Sequence, residues 1–211
     1  MTDLATRRGL ETDVYQPAED SELLARVACE RLSHRDGERD ELEDDRGRGP
    51  AADDGPTVLE VGTGSGYVAA RVADGTDARV IASDLNPHAV RQASAKGLEA
   101  VRADLVSPFV DGAFDAVLFN PPYLPTDPDA EWDDWMERAL SGGEDGRAVI
   151  DPFLETVGRV LAPGGVVYLL VSSLTGVESV VERAGREGFS AAAVADESFP
   201  FETLTVLELF R

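Results

Sequence analysis

The tetrapeptide Asn120-Pro121-Pro122-Tyr123 is the segment whose residue types most clearly suggest chemistry. It follows the hydrophobic run Phe114–Phe119, which predicts a buried strand, and two prolines must end that strand. A planar amino group has two hydrogens, and the side-chain oxygen of Asn120 and the backbone carbonyl of Pro121 could accept both. Tyr123 could stack on the planar group. The pattern predicts reaction at an amide or amine nitrogen by positioning, without a metal; the alternative is a tight turn with a packed tyrosine.

A glycine-rich loop between the predicted strand Thr57–Val61 and a helix from about Tyr67 is a second candidate site. Glycines permit tight turns and close approach to a ligand, and such a loop lies where doubly wound sheets bind ligands. The spacing of its last two glycines is shorter than in the dinucleotide fingerprint, and Glu60 would suit the cationic methionine end of S-adenosylmethionine. A structural turn and a dinucleotide site remain alternatives. The predicted cofactor-binding residues here are Glu60, Gly62, Thr63, Gly64 and Gly66.

Two acidic residues at the ends of the next predicted strands fit the same cofactor. Asp84 closes the strand 79–83, about 20 residues after the glycine loop, where a carboxylate can accept hydrogen bonds from ribose hydroxyls. Asp104 follows the strand Leu98–Arg102, where it could bind an adenine amino group while the Leu105 amide pairs with a ring nitrogen. The alternatives are a helix cap for Asp84 and an ordinary turn for Asp104.

Elsewhere the chain alternates between short apolar strands and amphipathic helices, which predicts repeated βα units. The expected fold is α/β: a doubly wound, mostly parallel, seven-stranded Rossmann-like sheet with an antiparallel last strand, in one domain covering 1–211. The segment 34–56 has almost no apolar residues and predicts a flexible, acidic surface insertion. The other predicted helices are 20–33, 87–96, 150–161 and 177–187, and the other predicted strands are 166–171, 191–195 and 203–210.

Composition and charge limit the class of protein. The 211 residues are 43% hydrophobic, which suits one globular domain, and the single cysteine excludes an internal disulfide. No apolar run reaches the roughly 18 residues of a membrane span, and Met1–Glu11 does not resemble a signal peptide, so a cytoplasmic protein is expected. The net charge of −22 would repel a phosphate backbone, so nucleic acid is not an expected partner. Adaptation to concentrated intracellular salt, as in halophilic organisms, explains this charge; the alternative is a few solvated acidic faces.

The motifs together resemble those of the HemK-type protein-glutamine methyltransferases, especially the short branch of archaea and eukaryotes. The resemblance runs from about Val14 to the C-terminus, apart from the acidic insertion. The tetrapeptide alone is not specific, because methyltransferases that act on base amino groups share it. Two further segments make the resemblance specific: 14–21 resembles the branch's cofactor-covering motif, and 139–147 resembles its Gly-Gly-x-x-Gly-Arg segment. The residues that the resemblance adds to the cofactor site are Tyr15, Pro17, Glu19, Ser21 and Leu85.

The resemblance implies a substrate, a cofactor and a partner. The substrate is the glutamine of the Gly-Gly-Gln motif in a class 1 translation release factor, methylated on N5 with S-adenosyl-L-methionine. The partner is a small zinc-binding activator that pairs along the sheet edge near Leu98–Arg102. The alternatives are methylation of adenine N6 or another base amino group, methylation of a protein lysine, for which no base is visible, and a cofactor-binding module without catalysis.

The charge yields a first prediction. Transfer from concentrated to dilute salt should lower the melting temperature, because the repulsion within a chain of net charge −22 is then less screened. Thermal unfolding followed by circular dichroism at both salt concentrations measures this. An unchanged melting temperature in dilute salt would contradict the salt adaptation.

Overall fold

The computed structural model describes residues 14–42, 55–126, 135 and 139–211. Within these residues, seven strands form one sheet, and helices lie on both of its faces. The strands are β1 (Thr57–Val61), β2 (Arg79–Asp84), β3 (Glu99–Arg102), β4 (Phe114–Phe119), β5 (Leu161–Ser172), β6 (Ser190–Ser198) and β7 (Thr203–Phe210). The helices are α1 (Glu19–Leu42), α2 (Tyr67–Gly75), α3 (Pro87–Ala95), α4 (Ile150–Val160) and α5 (Val177–Arg186), with a 3-10 turn at Ser173–Thr175.

The strand order is β3-β2-β1-β4-β5-β7-β6. Strands β1 to β5 pair in parallel, whereas β7 runs antiparallel to both of its neighbours. The predicted doubly wound sheet with an antiparallel last strand is therefore confirmed. The order reverses between β1 and β4, and ligands of such sheets bind at this switch point, outside the carboxyl ends of the strands.

Alternating residues of the central strands divide the core into two layers. In β1, Val58 packs with α1 and α2, whereas Leu59 packs with α4 on the opposite face. In β4, Leu118 and Phe119 divide in the same way, as the two-residue period of a strand requires. Both central strands are thus buried on both faces and hold their carboxyl ends in fixed positions. None of the described helices is long and apolar enough to cross a membrane.

Helix α1 is longer than the predicted helix 20–33. It continues through Leu42, nine residues beyond the predicted end, so the first part of the predicted insertion is helical, and the flexibility of the insertion stays a prediction. The rest of the predicted insertion, 43–54, lies outside the described residues.

Strand β5 begins earlier than predicted. Leu161, expected to end a helix, already pairs with Phe114, and the register shifts before Ala116 pairs with Val166. Pro163-Gly164-Gly165 is therefore a bulge inside a strand, not only a helix stop. Gly165 is required there, because a Cβ atom would lie 2.9 Å from the carbonyl oxygen of Phe114.

Candidate active site

Two cavities open at the carboxyl ends of the central strands. The first, about 450 Å³, lies over the glycine loop and is called the loop cavity. The second, about 960 Å³, extends from the tetrapeptide to the β6–β7 hairpin and is called the outer groove. The residues that line both are Tyr15, Tyr67, Asn120, Pro122 and Ala139.

The loop cavity collects most of the predicted cofactor residues. Pro17 and Glu19 instead line the outer groove, together with Pro121 and Tyr123 of the tetrapeptide. Gly66 lines neither cavity. The predicted residues that line the loop cavity are Tyr15, Ser21, Glu60, Gly62, Thr63, Gly64, Asp84, Leu85, Asp104, Leu105 and Asn120.

The glycine loop needs its glycines for different reasons. Gly62 has φ +65°, and a Cβ atom there would lie 3.3 Å from the ring of Phe119. Gly66 is buried with φ +75°, and its Cβ would lie 3.1 Å from Ala93 in α3. Gly62 therefore shapes the cavity floor, whereas Gly66 allows the loop to pack closely against a helix.

Glu60 connects the loop to the helix that follows it. Its carboxylate is buried and accepts hydrogen bonds from the Thr63 hydroxyl and, at 3.0 Å, from the Ala69 amide in α2. Burial raises the pKa of Glu60 to about 8, against the lowering effect of these bonds. A cationic ligand group in the loop cavity would favour the ionised carboxylate.

Asp84 faces the loop cavity with both carboxylate oxygens fixed. Oδ2 accepts from the Gly64 amide and Oδ1 from the Asn86 amide, each at 2.8 Å, and burial raises the pKa of Asp84. The cap of α3 is Asn86, whose side chain accepts from the His88 amide at 2.9 Å. The helix-cap alternative for Asp84 is therefore wrong, and its remaining lone pairs suit two neighbouring ligand hydroxyls.

The turn after β3 holds the backbone in an uncommon conformation. Leu105 has φ +49° and is the one non-glycine residue with positive φ in the described ranges. Arg159 secures the turn, because its guanidinium donates to the carbonyls of Val106 at 3.0 Å and Phe109 at 2.7 Å. Strain of this kind concentrates at functional sites, and here it lies beside Asp104, at the predicted adenine position.

The tetrapeptide contains a buried hydrogen-bond acceptor that no described residue pairs with. Asn120 Oδ1 is buried and has no hydrogen-bond partner among the described residues. Leaving such an atom unpaired costs about 1–3 kcal/mol, so its retention indicates a ligand that donates to it. Phe119, the residue before Asn120, is held in place because the centroid of its ring lies 4.5 Å from that of Phe153 in α4.

The segment 139–147 forms backbone hydrogen bonds with Leu124, the residue that follows the tetrapeptide. The Leu124 amide donates to the Leu140 carbonyl at 3.1 Å, and the Gly142 amide donates to the Leu124 carbonyl at 2.8 Å. A Cβ atom at Gly146 would lie 2.7 Å from the Tyr123 carbonyl oxygen. The last glycine of the Gly-Gly-x-x-Gly-Arg pattern thus permits close contact with the backbone of the residue that follows Pro122.

Asp20 is a site residue that the sequence did not reveal. Its side chain is 4% exposed; Oδ2 accepts from the Tyr15 hydroxyl at 3.0 Å, and Oδ1 accepts from the Ser21 amide at 2.5 Å. Burial and this carboxylate raise the pKa of Tyr15. Asp20 thereby fixes Tyr15 above the glycine loop, where the Tyr15 carbonyl would lie 3.6 Å from a Cβ at Gly64. An acidic residue in the first turn of a helix is common, so the sequence alone gave no signal.

Other lining residues come from distant parts of the chain. They are mostly apolar, and their types alone carry no chemical signal. The loop cavity also includes Trp135, Ala148, Val149 and Pro152, and the outer groove includes Phe199, Glu202 and Leu204.

The fold and the loop cavity together define the class of protein to which this chain belongs. The cavity lies at the switch point of the sheet, and its volume suits a nucleoside-sized ligand. It is lined by the buried carboxylate of Glu60, by Asp84 and by Asn120, whose Oδ1 has no hydrogen-bond partner among the described residues. These features fit S-adenosylmethionine, and the chain is a Rossmann-like methyltransferase that uses this cofactor.

Comparisons with known proteins give the family. A family model described as a methyltransferase domain matches 58–142. The putative protein N5-glutamine methyltransferase of Methanocaldococcus jannaschii is 34% identical over 96% of this chain and 94% of its own length. The human methyltransferase HEMK2 is 31% identical over 97% and 92%. The chain belongs to this family of protein N5-glutamine methyltransferases.

A solved structure agrees with this assignment. It is the E. cuniculi Mtq2–Trm112 complex, which is described as responsible for methylation of the translation termination factor eRF1. Its matching chain is 28% identical, with a TM-score of 0.68 over 95% of this chain and 99% of that one.

The pKa of Glu60 yields a prediction about cofactor affinity. If the cationic end of the cofactor requires the ionised carboxylate, affinity should rise about tenfold per pH unit below the pKa of about 8 and level off above it. Calorimetric titration with S-adenosylmethionine between about pH 6.5 and about pH 9.5 measures this. Glu60→Gln is the control, because the cofactor's own amine titrates equally with both proteins. Parallel pH profiles for the two proteins would contradict the assignment.

Proposed function

We propose that this chain transfers the methyl group of S-adenosylmethionine to the side-chain amide nitrogen of the glutamine in the Gly-Gly-Gln motif of a class 1 translation release factor. The observation that carries the proposal is the buried Asn120 Oδ1, which lies where the two cavities meet and has no hydrogen-bond partner in the described part of the chain. The relative named as an N5-glutamine methyltransferase and the Mtq2 structure described with eRF1 support this substrate.

The tetrapeptide orients an amide nitrogen by accepting both of its hydrogens. Asn120 Oδ1 accepts one N–H and the Pro121 carbonyl accepts the other, so the face of the nitrogen turns toward the loop cavity. The cofactor, when bound, supplies an electrophilic methyl group on its sulfonium. Orientation of two reactants in this way can contribute about 7–11 kcal/mol to lowering a barrier.

Tyr123 acts in this scheme as a neutral surface. Burial is the main cause of its raised pKa, and the carboxylates of Asp20, Glu202 and Glu19 raise it further. The phenol therefore stays protonated and cannot serve as a base near neutral pH. Its half-buried ring, which lines the outer groove, can stack on the planar amide.

Substitution of Asn120 tests the proposal. Asn120→Ala should lower kcat about 10²–10³-fold, as expected when one preorganised hydrogen-bonding group is removed at the reacting centre, while cofactor affinity changes far less. Asp84→Ala is the contrast: it should weaken cofactor binding more than it lowers kcat, because ribose contacts are made in ground and transition states alike. Methylation of release factor and calorimetric cofactor binding measure the two effects. Near-normal turnover by Asn120→Ala would refute the mechanism.

A small zinc-binding activator subunit, in this proposal, pairs with β3. This strand ends the sheet and pairs only with β2 among the described strands. In β3 itself, Val101 is an exposed apolar side chain, at 38%. The opposite edge strand, β6, is less suited to pairing, because its register shifts between Ala193 and Ala195 and acidic residues follow. The Mtq2 relative was solved with Trm112, which supports a partner of this kind.

A pair of valine substitutions tests this edge. Val101→Lys should weaken association with the activator at least about tenfold, because an apolar contact is replaced by a charge that must be desolvated. Val110→Lys is the matched control, since Val110 is 72% exposed in the loop beyond β3. Calorimetric titration of each variant with the activator measures the effect. Equal affinities of the two variants would exclude β3 as the docking edge.

A further inference from the structure

The turn that follows β3 forms one wall of the loop cavity and is held by a residue that does not line the cavity. The residues of this turn that line the cavity are Ala103, Asp104 and Leu105. The residue that holds them is Arg159, near the end of α4, whose side chain is 39% exposed. Any effect of Arg159 on a ligand in the loop cavity must therefore pass through the turn.

Arg159 bonds to the turn through both its side chain and its backbone. Its guanidinium donates to the carbonyls of Val106, at 3.0 Å, and Phe109, at 2.7 Å, and to Asp111 Oδ1 at 2.6 Å. Its own carbonyl accepts from the Gly112 amide at 3.0 Å. A guanidinium is planar and its donors have a fixed geometry, so two carbonyls that it binds are kept at a fixed separation.

The strained residue Leu105 lies between two points at which the turn is fixed. Its φ of +49° is in the left-handed region, and such a conformation persists only where the surroundings determine it. On one side, the Ala103 amide donates to the carbonyl of Asp84 at 3.0 Å. On the other side, Val106 is fully buried in the core, and its carbonyl is one of the two that Arg159 binds. Arg159 thus helps to maintain the backbone conformation at Leu105.

The helix that carries Arg159 also forms another part of the cavity wall. Val149 and Pro152, at the start of α4, line the loop cavity. Arg159 follows Pro152 by two turns, roughly 10 Å along the helix axis. The side chain of Arg159 therefore joins the turn after β3 to a helix whose first residues line the same cavity, and this sets the separation of two of its walls.

We propose that Arg159 is a positioning residue for the base of the cofactor, because it holds the turn so that Asp104 and the Leu105 amide select adenine. An adenine amino group donates to a carboxylate, and the ring nitrogen beside it accepts from an amide. Both bonds require correct placement of the turn, whereas burial of a ring requires only the cavity. The inference concerns the cofactor and does not depend on which acceptor is methylated.

A purely stabilising role for Arg159 leads to a different expectation. Loss of stability lowers the apparent affinity for all ligands of the folded chain by the same factor. Loss of alignment at the turn lowers only the affinity for ligands that form hydrogen bonds there. The ratio of two affinities therefore separates the two roles, and the melting temperature alone does not.

The test compares two ligands and four forms of the chain. One ligand is S-adenosylhomocysteine; the other is S-inosylhomocysteine, in which a carbonyl replaces the amino group and the neighbouring ring nitrogen carries a hydrogen. The forms are the unaltered chain, Arg159→Gln, Arg159→Lys and Arg183→Gln. Arg159→Lys keeps the charge but loses the planar fork. Arg183→Gln is the matched control, because Arg183 joins α4 to α5 through Glu155 and Glu187. Calorimetric titration gives each Kd, and thermal unfolding gives each melting temperature.

The expected result concerns the Kd for the inosine ligand divided by the Kd for the adenine ligand. In Arg159→Gln this ratio should fall about tenfold, because the Kd for the adenine ligand rises and the other changes little. Arg159→Lys should lower the ratio by less, and it carries the comparison if Arg159→Gln does not fold. Arg183→Gln should leave the ratio unchanged even if its melting temperature falls.

Two results would overturn the inference and leave the proposed function intact. One is an unchanged ratio in both Arg159 variants, which would show that Arg159 only stabilises the fold. The other is an equal fall of the ratio in Arg183→Gln, which would show that any loosening of α4 has the same effect. Failure of the unaltered chain to bind S-adenosylhomocysteine would overturn the cofactor site itself.

Discussion

The candidate site depends on one buried acceptor at the carboxyl end of β4, Asn120 Oδ1, for which the described residues provide no hydrogen-bond partner. Its position is rigid because β4 lies between β1 and β5 and is packed on both faces. The cost of the unpaired oxygen is a small part of the stability of a folded domain, and it is recovered when a donor binds. The two prolines that follow strengthen this arrangement, since neither offers an N–H that could satisfy the oxygen.

Two cavities reach this point, because Asn120 lines both of them. Glu60, Asp84 and the strained turn at Leu105 line the loop cavity. Tyr123 and Glu202 line the outer groove. Asp20 connects the two, because it lines the outer groove while it holds Tyr15 over the glycine loop. One carboxylate therefore links the wall of the outer groove to a residue that lines both cavities.

The sequence predicted the parts of this site that are carried by local motifs. The glycine loop, Asp84 and the tetrapeptide each follow a strand directly, so the parallel sheet alone brings them to one edge. It did not predict Asp20, because the contact of Asp20 with Tyr15 depends on how the chain before α1 folds back over the glycine loop. For Gly66 the sequence predicted contact with the cofactor because of its place in the motif. In the structure, Gly66 instead packs closely against Ala93, where a side chain would not fit. The boundary of α1 was missed because a charged helix resembles an exposed loop in composition.

We expect the tetrapeptide to select the amide nitrogen of a protein glutamine. The most direct measurement is incubation of the chain and its activator with labelled S-adenosylmethionine, in concentrated salt, and with four separate acceptors. These are a release factor with an intact Gly-Gly-Gln motif, the same factor with that glutamine changed, DNA and tRNA. The account predicts label on the intact factor alone, located on the glutamine by mass spectrometry. Label on nucleic acid alone, or equal label on both forms of the factor, would contradict it.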